Sequence, residues 1–87
     1  MGTKIMNMKT TEHFISKDLG LSGFLHASRI KITEIKNDGK ICWFMFADKL
    51  ECERLADLFW LGEAMVNARD YYSSLRTLKD LIFNRGR

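Results

Sequence analysis

The chain has 87 residues, of which 46% are hydrophobic and 29% charged, with 11% aromatic residues and a formal net charge of +3. A chain of this length forms one domain around a single core, and the absence of proline excludes a proline-rich linker. No uncharged run approaches the ~20 residues of a membrane span and no secretory signal is visible, so we expect a cytoplasmic protein with reduced thiols.

Charge is distributed unevenly along the chain. Residues 1–47 carry a net charge of +3, residues 48–63 carry −3 and residues 64–87 carry +3. A basic C-terminal segment beside an acidic middle helix is explained by complementary packing of solvated faces. The alternative is that one basic surface stays free for nucleic acid. Residues 1–9 hold three methionines and show no clear period, so we predict a disordered leader there and a single α+β domain over residues 10–84.

Residues 41–47 contain no charge, no hydroxyl and no glycine, which is typical of a strand buried on both faces. Trp43 and Met45 point to one face while Phe44 and Phe46 point to the other. We expect helices of this chain to cover one face, and either further helix or a partner molecule to cover the other.

A hairpin turn at residues 37–39 precedes this strand, because Asn and Asp tolerate turn geometry and Gly39 supplies a positive φ. The strand on its other side, residues 30–36, alternates apolar and polar residues and then breaks phase at Glu34. The break predicts a bulge near Thr33 and Glu34. Residues 10–15 are rich in β-formers and predict an edge strand.

Three helices complete the prediction. Ser16 is the predicted N-cap of the first, which ends near Ser28, and its two glycines indicate close packing against a neighbour. The spacing of Asp48 and Glu51 predicts a capping box at the start of the second helix. The remaining signals are Gly62 as the end of the second helix, Asn67 as the N-cap of the third, and Asn84 with Gly86 as its end. The fold class is α+β, a small antiparallel sheet packed with three helices in the order β-α-β-β-α-α.

No pattern in the sequence indicates catalysis, a metal or a cofactor. The soft metal ligands are His13, His26, Cys42 and Cys52, and no two of them have the short spacing of a structural zinc site. We interpret the histidines as surface residues and the cysteines as small apolar fillers. No nucleophile elbow or phosphate-binding glycine loop occurs, so we predict a non-enzymatic protein with no small-molecule substrate.

The predicted third helix has the best candidate nucleic-acid contacts. Guanidinium and ammonium groups near Tyr72 suit phosphates and stacked bases, and the candidates are Arg69, Arg76, Lys79 and Arg85. The alternative is a solvated face in which Arg76 pairs with Asp80 at i,i+4.

Trp43, Met45 and Trp60 are the candidate protein interface. If helices cover only one face of a small sheet, these residues form an apolar patch that binds a partner or a second copy. The alternative is that they are core residues.

Several runs along the chain resemble a family of small uncharacterised bacterial and phage proteins, a domain of unknown function. The resemblance covers residues 12–83 and is carried by residues 14–19, by Gly39 with residues 43–46, and by residues 52–83, of which 59–63, 66–69 and 76–79 are the most specific. The chain departs from the pattern at Ser28 and Arg29, where similar proteins often have a glycine that ends the first helix. The resemblance implies an α+β fold and no assigned activity.

These observations favour a non-enzymatic binding module, an accessory or regulatory protein that acts through protein contacts or self-association. The alternative is a nucleic-acid-binding protein that uses the basic face of its C-terminal helix.

Overall fold

The structure is a computed structural model that describes residues 12–85. It contains all of the predicted strands and helices, in the predicted order. They are β1 (His13–Ser16), α1 (Leu19–Ala27), β2 (Ile32–Asn37), β3 (Cys42–Ala47), α2 (Lys49–Trp60) and α3 (Ala68–Arg85). The fold is therefore α+β with a three-stranded antiparallel sheet. The predicted leader at residues 1–9 lies outside the described residues.

β3 is the central strand, with β1 and β2 on its two edges. Phe14 lies opposite Phe46 and Ser16 lies opposite Phe44. The predicted first strand is therefore an edge strand, although it runs one residue further than expected. Residues 10 and 11 of that prediction lie outside the described residues.

The hairpin and its bulge are confirmed. Gly39 has a φ of 99°, and its backbone N–H donates to Asn37 Oδ1 at 2.8 Å. Asp38 Oδ1 accepts from the N–H groups of Lys40 and Ile41, so one carboxylate closes the turn. The register of β2 against β3 shifts between Ile32 and Glu34, which returns Ile35 to the face that carries Phe44.

All three helices pack on the same face of the sheet. Phe44 and Phe46 are 1% and 0% exposed beneath them, whereas Trp43 and Met45 on the opposite face are only half-buried. The prediction that β3 is buried on both faces is therefore wrong for a single copy of the chain. The helices also pack against one another, α1 against α3 and α2, so within residues 12–85 no helix remains for the outer face.

The N-cap of α1 is Asp18 and not Ser16 as predicted. Asp18 Oδ1 accepts from Leu21 N–H at 2.8 Å. Ser16 instead ends β1, where its buried hydroxyl oxygen accepts a hydrogen bond from Ser22 Oγ at 3.0 Å. Both residue types cap helices well, and the pairing of Ser16 with β3 decides between them.

The close packing that the glycines of α1 predicted is present between α1 and α3. A Cβ at Gly23 would lie 2.6 Å from Leu75 Cδ2, and Tyr71 donates its hydroxyl proton to Gly20 O at 3.2 Å. In α3, Asn67 Oδ1 accepts from the N–H groups of Arg69 and Asp70, as expected of an N-cap.

α3 extends past Asn84 to Arg85, the last described residue, and the second predicted end signal, Gly86, lies outside the described residues. The capping box of α2 is half formed. Asp48 Oδ1 accepts from Glu51 N–H at 3.3 Å, but the Glu51 carboxylate binds Arg54, with Oε2 2.6 Å from Nη2. The hydrogen bond and charge of Arg54 lower the pKa of Glu51.

Two helices end in the same hydrogen-bonded turn. After α2, Gly62 N–H donates to Phe59 O and Glu63 N–H to Leu58 O, with Gly62 at a φ of 77°. After α1, Arg29 N–H donates to His26 O and Ile30 N–H to Leu25 O. Both are Schellman motifs, whose left-handed position favours glycine. Arg29 occupies that position at a φ of 72°, a conformation that costs a residue with a Cβ about 1–2 kcal/mol.

Replacing Arg29 with glycine should stabilise the protein, because glycine adopts this conformation without the Cβ clash. We expect Arg29→Gly to raise the free energy of unfolding in urea by about 0.5–1 kcal/mol, after the larger backbone entropy of glycine in the unfolded chain is subtracted. Gly62→Ala is the matched control at the equivalent position of α2, and it should lower stability by about 1 kcal/mol. Equal stability of both variants and the wild type would contradict this account of the two turns.

Candidate functional site

Four large apolar side chains are exposed together where α2 passes into α3. Trp60, Leu61, Met65 and Val66 lie within seven positions of each other and have exposed fractions from 37% to 89%. We call these four residues the apolar loop surface. Scattered single apolar residues are normal on a protein, whereas contiguous apolar patches are typical of interaction sites, so this segment is the candidate interaction site.

The backbone of this surface is fixed at both ends. The Schellman motif at Gly62 holds its start, and the cap at Asn67 holds its end. Between them, Ala64 packs against the buried core. The apolar side chains are therefore held outward by ordered backbone, so less conformational entropy is lost when a partner binds.

Trp60 is connected to the core through an aromatic series. Its ring meets Phe59 edge to face with centroids 4.9 Å apart, and Phe59 stacks on Phe24 of α1 at 5.8 Å. One side of the indole is therefore supported while 62% of the residue stays accessible. A supported, accessible tryptophan is the residue type that most often dominates the energy of a protein interface.

The predicted interface of Trp43, Met45 and Trp60 is divided in the structure. Trp43 and Met45 lie on the outer face of the sheet beside Ile15, whereas Trp60 lies on the side that carries the helices. The Lys17 ammonium lies 5.4 Å from the centroid of the Trp43 ring and covers part of it. The outer sheet face is consequently the less exposed of the two apolar surfaces.

Leu61, Met65 and Val66 were not identified from the sequence. The signal was available, because the extended segment between Gly62 and Asn67 crosses the surface and contains Met and Val, which loops usually lack.

Three of the four candidate nucleic-acid residues lie on one face of α3. Arg69, Arg76 and Lys79 share that face with Tyr72 and Phe83, at successive spacings of 3, 4, 3 and 4 residues. We call these five residues the basic stripe. Arg85 is the last residue of α3.

Arg76 lies against the ring of Tyr72 and not against Asp80. Its Cζ is 5.9 Å from the Tyr72 centroid, which is a cation–π contact. The ion pairs within residues 12–85 involve Lys49 and Arg54 as the cations, so the predicted Arg76–Asp80 pair is not formed.

The described part of the chain is electrically neutral. Residues 12–85 hold eleven Lys and Arg residues and eleven Asp and Glu residues, and the remaining basic residues are Lys4, Lys9 and Arg87. The net charge of +3 therefore belongs to the two ends. Any attraction of the folded body for an anion must come from local groups such as the basic stripe.

His26 is half-buried, so its interpretation as a surface residue is wrong. Its Nδ1 lies 2.7 Å from Ser74 Oγ, and this bond joins α1 to α3. Burial, and then the charge of Arg29, lower the pKa of the imidazole. A histidine beside a serine resembles part of a hydrolase site, but Ser74 is only 5% exposed and His26 has no carboxylate hydrogen-bond partner within residues 12–85. His13 is exposed, as predicted.

The two cysteines and one shallow depression are further candidates for chemistry or ligand binding. Burial raises the pKa of Cys42, and burial with the charges of Asp48, Glu51 and Glu53 raises that of Cys52 to about 11, so neither thiol is activated as a nucleophile. The depression has a volume of about 520 Å³ and is lined by Lys17, Asp18, Leu19, Lys40, Ile41, Cys42, Phe44 and Ile82. Within residues 12–85, no three potential metal ligands lie close enough to hold an ion.

Comparison of the chain with protein-family models, with curated proteins and with solved structures gave no match. None of the helices within residues 12–85 is long and apolar enough to span a bilayer.

The half-buried imidazole predicts a pH-dependent stability. The unfolded chain binds a proton at His26 more readily than the folded protein does, so the free energy of unfolding should fall as the pH drops below the ordinary histidine pKa of about 6.5. Urea unfolding of wild type and His26→Gln across this range measures the effect, because glutamine keeps a polar partner for Ser74 and does not titrate. The exposed His13→Gln variant is the control. A His26→Gln protein with the full wild-type acid dependence would assign that dependence to other groups.

Proposed function

We propose that the protein is a non-enzymatic accessory or regulatory binding module of the cytoplasm, and that its apolar loop surface docks on another protein surface. The first occupant that we propose is a second copy of the chain. The observation that carries this proposal is the exposure of four large apolar residues between the last residue of α2 and the start of α3.

The residue types of the loop support protein binding. Tryptophan and methionine are enriched at the centres of protein interfaces, and an anchor that is already held in place costs little entropy to bury. Met65, with 89% of its surface accessible, makes little contact with the rest of the chain. Its exposure is explained more simply by a missing partner than by a role in folding.

The distribution of charge around the apolar loop surface favours a second copy of the chain as its binding partner. The loop lies between the acidic segment of residues 48–63 and the basic helix α3. In a two-fold symmetric dimer, the same patch on each copy faces its counterpart, so the acidic side of one loop can meet the basic side of the other. The neutral folded body adds no net repulsion between the copies.

The two thiols support the cytoplasmic setting, because Cys42 and Cys52 are both free and reducing compartments preserve thiols.

Solution mass measured by light scattering at increasing concentration tests the proposal. We expect wild type to approach twice the monomer mass of 10.2 kDa. Met65→Ser and Leu61→Ser should each weaken dimerisation about a hundredfold, because each substitution is present in both copies of a symmetric dimer and removes two apolar contacts worth roughly 1.5 kcal/mol each.

Leu50→Ser is the matched control. Leu50 is 71% exposed and Leu61 is 70% exposed, but Leu50 lies at the opposite end of α2. Leu50→Ser should therefore dimerise like the wild type. A monomeric wild type, or a dimer that Leu50→Ser weakens as much as Leu61→Ser does, would contradict docking of a second copy at the apolar loop surface.

A further inference from the structure

We propose that the basic stripe binds single-stranded nucleic acid, with bases stacked on Tyr72 and Phe83 and phosphates held by Arg69, Arg76 and Lys79. This site lies on the outward face of α3. None of its five residues belongs to the apolar loop surface.

The two aromatic rings are the first argument. Tyr72 is 60% exposed and Phe83 is 69% exposed, although α3 has a separate apolar face for the core that includes Leu78, which is fully buried. The Tyr72 ring contacts Arg76, but packing against the core does not require either exposed ring. Rings between cations provide stacking platforms that any base can use.

The arrangement of charge is the second argument. Along one helix face the stripe runs cation, ring, cation, cation and ring, and Arg69 and Phe83 are 14 positions apart, or about 21 Å at 1.5 Å per residue. A single strand likewise presents both phosphates and bases along its length. The guanidinium of Arg76 lies beside the Tyr72 ring, so a base on that ring would have its phosphate within reach of a cation.

Single strands fit this surface better than duplexes do. The bases of a duplex are already stacked on one another and offer no face to an exposed ring, whereas the bases of a single strand do. A site that binds duplexes only through charge would need the three cations and no aromatic ring. The exposed Tyr72 and Phe83 would then have no function.

Acidic neighbours limit the strength of the site. Asp70 and Asp80 lie on the same helix next to Arg69 and Lys79 in sequence, and the folded body has no net positive charge. Three phosphate contacts on a single strand predict a log–log slope of about −2 for the dependence of affinity on salt.

Fluorescence anisotropy with a labelled oligo-dT of about 12 nucleotides tests the proposal, with the corresponding dA·dT duplex as a second probe. We expect the single strand to bind more tightly than the duplex, with the predicted salt slope. Arg76→Glu should weaken binding by about tenfold or more, and Tyr72→Leu by about tenfold, which matches loss of one stacked base. Unchanged urea unfolding would show that these exposed substitutions leave the fold intact.

Lys36→Glu is the matched control. It makes the same change of charge on the exposed side of β2, away from α3. It should weaken binding much less than Arg76→Glu does. Equal loss in both variants, no effect of Tyr72→Leu, or binding of poly-glutamate as tight as that of oligo-dT would overturn the proposal.

Met65→Ser separates this inference from the proposed function. The variant lacks an apolar contact of the loop and keeps the whole basic stripe, so it should bind oligo-dT as the wild type does. A Met65→Ser protein that loses oligo-dT binding together with dimerisation would overturn a separate site on α3.

Discussion

Burial of Phe44 and Phe46 beneath the three helices is the interaction on which the rest of the structure depends. Both phenylalanines are on the central strand, and Phe14 and Ile35 extend the same apolar layer onto the edge strands. A sheet of three short strands has room for one layer of helices on that face. The outer sheet face and the outward sides of the helices are consequently left for solvent or for partners.

The close contact between α1 and α3 gives these outward surfaces a rigid base. Gly23 allows Leu75 to approach α1, and the His26–Ser74 hydrogen bond crosses the same interface. Capping at Gly62 and Asn67 then fixes the loop that leads into α3. Both proposed binding surfaces therefore present side chains on ordered backbone, and partners need not pay for ordering it.

Local sequence patterns were sufficient to predict the helices and strands. Contacts with residues distant in sequence determined the features that the sequence did not predict. The hairpin, the bulge near Glu34 and the cap at Asn67 depend on residues close in sequence, so the sequence predicts them well. Ser16 and Asp18 are equally good caps, and only the pairing of β1 with β3 separates them. Likewise, Ser74, the hydrogen-bond partner of His26, lies 48 residues away in sequence. The separation of Trp43 from Trp60 follows because α2 packs on the face of the sheet opposite Trp43.

When two copies meet at the apolar loop surface, Trp60 should become covered. Trp43→Phe leaves Trp60 as the single tryptophan, so acrylamide quenching of its fluorescence reports its accessibility directly. We predict that the quenching constant falls as protein concentration rises and the solution mass doubles. A quenching constant that stays unchanged while the mass doubles would place the interface elsewhere and contradict the account.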